Sequence, residues 1–275
     1  MTSASDARTS YRGGYLRSAL ADGGVTTFSD ALDWFRGQVD ARRATVREVG
    51  LCELPEWRWA RDPLRLVHRT GRFFAVEGYR LSVSGVPWAS GPPAPEVDQP
   101  LISQPEIGVL GFLTKRLKGT RHFLVQAKME PGNARQVQLA PTVQATRSNY
   151  MRVHRGSSTP YLEFFLARRR SRVLVDELQP EQGAYFLAKR NRNMVVETDE
   201  EVAVGDRYCW MTLGHLKALL QMPYAVNMDA RSVLSCLPLA DETELAALSR
   251  PGREPVEAGG GLVGGYGRAL LRSSS

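Results

Sequence analysis

The sequence predicts an α+β protein, with strands concentrated in the first part of the chain and helices towards its end. Three apolar, strand-forming segments follow one another between residues 107 and 146, separated by turn residues. Segments with helical spacing of apolar residues occupy 212–220 and 229–237. A chain that groups strands and helices separately is typical of an α+β domain rather than of a doubly wound parallel sheet.

The first segment with a clear period is 28–43, for which we predict an amphipathic helix. Thr27 or Ser29 is available as its N-cap. Its apolar residues recur every three to four positions, at Phe28, Leu32, Phe35 and Val39. The preceding residues 1–24 are rich in Ser, Thr, Arg and Gly without a sustained period, so we predict a disordered tail there.

Strand-forming runs then alternate with turns and predict antiparallel hairpins. One hairpin is predicted from 64–68 and 72–83, and a second from 107–117 and 121–129 followed by a third strand at 136–146. The segment 85–100 is rich in proline, which lacks an amide donor and fixes the backbone. We therefore predict a loop there, either a linker or a binding flap.

The later elements are shorter. They are a strand-like aromatic segment at 161–166, a helix at 181–190, a strand at 194–198, a helix capped by Thr212 and a last helix at 229–237. The glycine-rich residues 241–275 predict a second disordered tail. The expected organisation is a single module at 25–240 between two tails.

Composition narrows the possible functions. The 275 residues carry a net charge of +7, which favours an anionic partner. No continuous basic stripe or RNA-binding motif accompanies this charge, so a nucleic-acid-binding function rests on charge alone and we expect no nucleic-acid partner. No apolar run is long enough to span a membrane, and three widely spaced cysteines without a C-x-x-C pair suit a reducing compartment. We expect a cytoplasmic protein without membrane attachment.

Signature motifs of several enzyme classes are absent from the sequence. It contains no phosphate loop, no G-x-G-x-x-G between a predicted strand and a predicted helix, no G-x-S-x-G nucleophile elbow and no H-E-x-x-H zinc motif. The four histidines are far apart, so no histidine-rich metal site is expected.

Large polar side chains are concentrated in residues 121–154. Burying such groups beside core strands costs free energy unless they are paired, which indicates a polar ligand. The candidates are Lys128, Glu130, Asn133, Gln138, Gln144, Arg147, Asn149, Tyr150, Arg152 and His154.

Three further features are candidates for binding. Arg192 lies in the run KRNRN, which suits contacts with a diphosphate or with sugar hydroxyls, and Trp88 in the proline-rich loop suits stacking on a nucleobase. The basic run 167–172 either grips phosphate or forms a solvated turn.

Five separated motifs carry a resemblance to a known family. They are HFLVQAKMEPGN, VQLAPTVQATRSNYMRVH, LQPEQGAYFLAKRNRNMVVE, YCWMTLGHLKALL and VNMDARSVLSCLP. In this order they resemble the nucleoside-diphosphate-hexose 2,3-dehydratases of deoxysugar biosynthesis. The resemblance implies a Nudix-hydrolase-like α+β fold, with a mixed or antiparallel sheet and flanking helices. It also implies elimination of water across C2 and C3 of dTDP-4-keto-6-deoxy-glucose without a cofactor, and a 3-ketoreductase acting downstream.

The resemblance covers one module, whereas family members usually carry a tandem pair. The sequence resembles the amino-terminal copy, and two interpretations remain open. Either a homodimer or a partner supplies the second module, or the protein is a non-catalytic nucleotide-sugar-binding subunit.

The chemistry of a 4-keto sugar assigns hypothetical roles to the candidate residues. A base removes the C3 proton, an acid protonates the leaving 2-hydroxyl, and donors stabilise the enolate. We assign acid and base to Glu130, Tyr150 and His154, the enolate to Lys128 or Asn149, and the diphosphate to Arg147, Arg152 and Arg192. Asn133, Gln144 and Trp88 complete the predicted substrate-binding set.

Some of these residues have structural alternatives. Glu130 is equally well explained as a turn carboxylate before Pro131-Gly132, and Tyr150 with His154 as a packed pair on one helical face. For Asp229 and Arg231 we favour a structural ion pair at the last helix.

Overall fold

A computed structural model describes residues 14–21, 23–42, 44–82, 96–146, 159–167 and 169–238. The helices are α1 (Tyr15–Leu20), α2 (Phe28–Asp40), α3 (Glu163–Leu166), α4 (Leu213–Leu219) and α5 (Met228–Ser235), with a 3₁₀ turn at Leu51–Glu53. The first strands are β1 (Trp57–Ala60), β2 (Arg65–His68), β3 (Ala75–Leu81), β4 (Val97–Ser103), β5 (Gly108–Leu117) and β6 (Thr120–Met129). The remaining strands are β7 (Val137–Ala140), β8 (Val143–Ala145), β9 (Arg172–Pro180), β10 (Arg190–Glu197) and β11 (Tyr208–Thr212).

The strands form two sheets. The larger, which we call the main sheet, has the order β11-β6-β5-β10-β9, with β7 paired to β6 and β8 to β5. It is mixed, because β10 runs parallel to β5 while its other pairs are antiparallel. The second, which we call the outer sheet, is antiparallel with the order β1-β2-β3-β4. One mixed and one antiparallel sheet, with few flanking helices, confirm the predicted α+β class.

The strands β5 and β6 form a fork that positions the candidate site. They pair with each other only near their turn, from Thr114↔Phe123 to Leu117↔Thr120. Beyond that point β8 pairs with β5 and β7 pairs with β6, so the chain segment β7–β8 fills the opening. Thr142, at the corner of this segment, accepts a hydrogen bond from the Leu113 amide at 2.9 Å and donates one to the Leu124 carbonyl.

Both faces of the main sheet are covered. One face packs against helices α1, α2, α4 and α5 through a core that includes Phe112, Phe123 and Leu216, each 0% exposed. The other face carries a smaller core in which Leu113 and Leu124 meet the aromatic residues of α3. Gly111 is required under α3, because a Cβ there would lie 2.1 Å from the Phe165 ring.

Several predicted elements are confirmed. The hairpin β2–β3, the hairpin β5–β6, helix α2 and helix α4 all lie where the sequence predicts them. The capping residues are confirmed as well: the side chain of Thr27 accepts from the Asp30 amide, and that of Thr212 from the His215 amide.

The predicted helix at 181–190 is wrong. Residues 181–189 form turns, and β10 begins at Arg190, so the run KRNRN lies largely in a strand. The reason is tertiary: the Tyr185 carbonyl accepts from the Ile102 amide at 2.7 Å, and the Leu187 amide donates to the Ile102 carbonyl at 3.0 Å. These bonds to β4 compete with a helical hydrogen-bond ladder.

Other boundaries are wrong for local reasons. The third strand predicted at 136–146 is divided into β7 and β8, since Pro141 cannot continue the ladder. The loop predicted at 85–100 ends earlier, because its last residues belong to β4, where Pro100 lies opposite Gly78. The strands β1, β9 and β11 have no predicted counterpart.

The predicted tail at 1–24 is wrong for residues 15–20. They form α1, in which Tyr15 and Ser18 are buried. Ser18 Oγ donates to the Arg121 carbonyl at 2.6 Å and accepts from the Leu213 amide at 2.8 Å, which ties α1 to β6 and α4. The predicted tail at 241–275 lies outside the described residues. No helix among the described residues is long and apolar enough to cross a membrane.

Candidate active site

A polar network crosses the opening of the β5–β6 fork. Lys128 Nζ donates to Glu130 Oε1 at 2.9 Å, and Gln144 Nε2 donates to the same oxygen at 3.0 Å. Asn227 Nδ2 then donates to Gln144 Oε1 at 3.1 Å. Four side chains from β6, the turn after it, β8 and the start of α5 are thereby connected in a single chain of hydrogen bonds.

Asn227 holds α5 in register with this network. Its Oδ1 caps the helix by accepting from the Ala230 amide at 2.9 Å, which leaves the amide nitrogen to donate to Gln144. Its backbone amide donates to the Leu139 carbonyl on β7 at 2.9 Å. The helix start is therefore fixed to the sheet by both backbone and side chain.

A second set of polar contacts ties the segment 181–189 to the start of β5. Asn191 Oδ1 accepts from the Gly108 amide at 3.2 Å, while its Nδ2 donates to Glu181 Oε1. Lys189, which is 5% exposed, donates to the Glu106 carbonyl, and burial lowers the pKa of its ammonium group. This side of the site presents a carboxylate and a desolvated lysine.

Asp229 lies between the two sets, in the first turn of α5. Burial raises the pKa of its carboxyl group to about 6, and the nearby carboxylates of Glu181 and Glu130 act in the same direction. The charges of Lys128 and Lys189 lower the pKa of Asp229, but by less than burial and the carboxylates raise it. A first-turn aspartate is ordinarily stabilised as the anion by the helix dipole. At this position the surroundings outweigh that effect.

The structure brings together three of the predicted site residues, Lys128, Glu130 and Gln144. Asn133 is used in the turn after β6, where its Nδ2 donates to the Gln136 carbonyl at 3.2 Å. Arg192 pairs with Asp176 on β9 and lies on the opposite face of β10 from Asn191, because neighbouring strand residues alternate. Six predicted residues lie outside the described part of the chain, namely Trp88, Arg147, Asn149, Tyr150, Arg152 and His154.

The prediction of a structural ion pair between Asp229 and Arg231 is wrong. No ion pair joins these two described residues, and Arg231 Nε donates to the Asn227 carbonyl at 3.4 Å instead. The sequence analysis also missed Asn227 and Glu181, and within the run KRNRN it selected Arg192 rather than Lys189. The signal that was present is the Asn at an N-cap position directly before the last helix; its partner Gln144 lies 83 residues earlier, beyond the reach of spacing rules.

Other charged groups have structural roles. Glu197 is buried against Arg121, with Oε1 2.9 Å from Nε, and Arg172 reaches its second oxygen. Burial alone would raise the pKa of Glu197, but the hydrogen bond and charge of Arg121 outweigh it and the pKa is lowered. In the basic run 167–172, Arg170 pairs with Glu200 at 2.7 Å. These pairs favour the structural interpretation of that run.

The described residues contain no group of three or more His, Cys, Asp or Glu arranged to hold a metal ion. An open depression of about 590 Å³ lies on the outer sheet, lined by Gly78, Tyr79, Arg80, Asp98, Gln99 and Pro100. Its lining comes entirely from β3 and β4, so it is distinct from the polar network. The polar groups described at the fork are carboxylates, amides and lysines, the residue types of a candidate acid–base site.

Comparison with known proteins assigns this chain to a family. The family model for NDP-hexose 2,3-dehydratase matches residues 28–237, which contain the whole network. A protein of Saccharopolyspora spinosa named dTDP-4-dehydro-6-deoxy-alpha-D-glucopyranose 2,3-dehydratase is 46% identical over 247 residues, or 88% of this chain. A protein of the same name from Amycolatopsis orientalis is 45% identical over 85% of this chain. The chain belongs to the NDP-hexose 2,3-dehydratase family.

The matched regions cover 49% and 50% of those two relatives, so the chain spans about half their length. Among solved structures, the Ap4A hydrolase of C. elegans aligns with a TM-score of 0.30 and 12% identity, over 48% of this chain and 95% of that protein. An ADP compounds hydrolase aligns with a TM-score of 0.34 and 11% identity, over 76% of this chain and all of that protein.

Proposed function

We propose that this chain forms the active module of a dehydratase that removes water across C2 and C3 of dTDP-4-dehydro-6-deoxy-glucose. The observation that carries the proposal is the network of Lys128, Glu130 and Gln144 with Asn227, an acid–base cluster inside the region that matches the family. The 46% identity to a relative named for this reaction supports the choice of substrate.

The reaction needs acid–base catalysis and no net redox change. The 4-keto group acidifies the C3 hydrogen, so a base removes it and the electrons of that bond form an enolate. The bond between C2 and its hydroxyl oxygen then breaks, and an acid protonates the departing oxygen to give water. The resulting enol tautomerises to a 3,4-diketo-2,6-dideoxy sugar nucleotide, the expected substrate of a 3-ketoreductase.

Lys128 is the group best suited to stabilise the enolate. Its ammonium donates three hydrogen bonds at most, and Glu130 uses one of them and holds it in place. A cation positioned before reaction stabilises developing negative charge without reorganisation. For the remaining roles we retain Tyr150 and His154 as proton-transfer candidates. The proposed substrate ligands remain Asn133, Gln144, Arg147, Asn149, Arg152, Arg192 and Trp88.

The direct test supplies the purified chain with dTDP-4-dehydro-6-deoxy-glucose and a 3-ketoreductase, and follows the 2-deoxy product by mass spectrometry. We expect product from the wild type and a loss of about 100-fold or more in Lys128→Met. Arg65→Met, in an exposed ion pair on the outer sheet, is the matched control. A wild type that binds the nucleotide sugar but never yields product would contradict the proposal.

A second candidate function within the same family is that of a non-catalytic nucleotide-sugar-binding subunit. It predicts binding of the substrate, measured by calorimetry, without product under any condition. The same assay therefore separates the two candidates.

We infer that a second module, supplied by a homodimer or a partner chain, completes the enzyme. Two observations support this inference: the relatives are about twice as long as the matched region, and the outer sheet leaves Trp59, Leu81 and Val97 about half exposed. Exposed apolar groups of this size on one sheet are typical of protein–protein contact. Sedimentation analysis tests the homodimer, and a strict monomer at assay concentration would contradict it.

We also propose a cytoplasmic location. All three cysteines are free, which suits a reducing compartment. Fractionation of the producing cell tests this, and recovery outside the cytoplasm would contradict it.

A further inference from the structure

We propose that Asp229, rather than Glu130, is the carboxylate that takes the C3 proton of the nucleotide sugar. The assignment rests on the dehydration proposed above and names the base of that reaction. It replaces the role that the sequence suggested for Glu130 with one set by the surroundings of the two carboxylates.

The position of Asp229 is fixed by the residues before it. Asn227 is bonded to Gln144 and to β7, and Met228 Sδ accepts from Gln182 Nε2 at 3.3 Å. The second residue of α5 is therefore held between the fork and the segment 181–189. The charged groups acting on its carboxylate from these elements are Lys128, Glu130, Glu181 and Lys189.

The two carboxylates differ in their hydrogen bonds. Glu130 Oε1 accepts from both Lys128 and Gln144, and such bonds stabilise the charged form and weaken a carboxylate as a base. Within the described part of the chain the Asp229 carboxylate has neither a hydrogen bond nor an ion pair. Because no described protein donor occupies this carboxylate, an incoming C–H group does not have to displace one. The residue is half-buried, so its carboxylate is also partly accessible.

Electrostatics supports the same assignment. With a pKa of about 6, Asp229 is mostly ionised at neutral pH and is still more basic than an ordinary aspartate. A catalytic base is most effective when its pKa lies near the working pH. Two carboxylates that act on each other electrostatically thus take different roles: Glu130 orients Lys128, and Asp229 accepts the proton.

The proton-transfer step can be isolated from elimination. An analogue of the substrate that lacks the 2-hydroxyl cannot lose water, so in D₂O its C3 hydrogen can only be exchanged for deuterium. Asp229 removes the C3 proton, the enolate forms, and a deuteron returns to C3. Exchange is followed by NMR or mass spectrometry.

We expect the wild type to exchange C3, and Asp229→Asn to exchange at least about 100-fold more slowly. Asp229→Glu should recover part of the rate, and Glu130→Gln should lose less than Asp229→Asn. The matched control is Asp30→Asn, in the first turn of α2, which should exchange like the wild type. The pH profile should show an acid limb near pH 6 in the wild type and none in Asp229→Asn.

The outcomes separate the two proposals. Exchange by a folded Asp229→Asn variant at the wild-type rate overturns the role of Asp229 and leaves the dehydratase proposal intact. A wild type that binds the analogue and neither exchanges it nor dehydrates the true substrate overturns the dehydratase proposal itself. Circular dichroism of the variants controls for folding, and Asp229→Glu provides the conservative comparison.

Discussion

The main sheet and the outer sheet are both built around antiparallel hairpins, yet they are stabilised in different ways. The strands β5, β6 and β10 are buried along most of their length, with helices covering one face. Of the residues in β1–β4, only Leu66 and His68 are buried. A hairpin signal in the sequence therefore identifies strand pairing but does not reveal whether the sheet has a core of its own.

This difference between the sheets bears on the proposed active site. The polar network lies at the opening of the main sheet, where packed strands on several sides hold side chains at defined positions. The outer sheet has short, exposed ion pairs such as Arg80–Asp98 at 2.8 Å and no comparable interior. Substitutions in the main sheet should therefore change the free energy of unfolding more than substitutions in the outer sheet, where an effect on association is expected instead.

The largest effect should come from the core of the main sheet. Phe112 is 0% exposed and meets Phe123 edge-to-face, with ring centroids 5.7 Å apart. Phe112→Ala should lower the free energy of unfolding by about 3–5 kcal/mol, because it removes apolar contacts and leaves a cavity. Urea unfolding of the wild type and the variant measures this. A loss below about 1 kcal/mol would remove the distinction between the sheets.

Disrupting the buried ion pair of the main sheet should lower the free energy of unfolding by a comparable amount, and this loss should depend on pH. Glu197→Gln removes the negative charge that faces the fully buried guanidinium of Arg121 and should cost about 3–5 kcal/mol. Since the pKa of Glu197 is lowered by folding, its contribution is present above the ordinary glutamate pKa and is lost as the pH falls through the folded value. Acid denaturation of the wild type should be steeper than that of the variant. Equal slopes would contradict the assignment.

A smaller effect on stability should come from His122, which is bonded to the segment that connects α1 to α2. Its Nε2 accepts from the Val25 amide at 3.2 Å and its Nδ1 donates to the Thr120 carbonyl at 2.9 Å, so the ring is bound in the neutral form. Gly24 permits this approach, because a Cβ there would lie 1.9 Å from Nε2.

Burial lowers the pKa of His122, so the unfolded chain takes up the proton first as the pH falls. Stability should decrease from the ordinary histidine pKa down to the lower folded value, by about 1–3 kcal/mol for loss of the buried acceptor. Thermal unfolding across this range measures the slope, and His122→Gln should flatten it. His215, whose pKa is likewise lowered by burial, provides the comparison variant.

The smallest effect on stability is expected in the outer sheet. Trp59 is 50% exposed, so Trp59→Ser should change the free energy of unfolding of the monomer by less than about 1 kcal/mol. If the outer sheet meets a second module, the same variant should shift sedimentation towards the monomer. Val173→Ser, an equally exposed apolar residue on β9, is the control. A shift with Val173→Ser alone would move the contact surface to the main sheet.

Local physical chemistry explains which elements could be predicted. Helix α2 was predictable because its apolar period lies within 13 consecutive residues, and its cap, Thr27, directly precedes them. The hairpins β2–β3 and β5–β6 were predictable because each is an apolar run around a short turn. Segment 181–189 was not, because its hydrogen bonds go to Ile102, some 80 residues away.

The site was predictable only in part for the same reason. Lys128 and Glu130 stand two residues apart and were found by crowding, whereas Asp229 was interpreted as half of an ion pair. Its raised pKa depends first on burial and then on the carboxylates of Glu181 and Glu130, and all three arise only when distant segments pack together.

The amino-acid sequence by itself determined the α+β class, the paired hairpins, the helix caps and, through its motifs, the family, because each depends on residues close together in the chain. Only the tertiary structure decided that β7–β8 fills the fork, that Asn227 reaches Gln144, and that Asp229 lies among two lysines and two glutamates. Burial and charge act through space, so the properties that distinguish one carboxylate from another arise only when distant segments pack together.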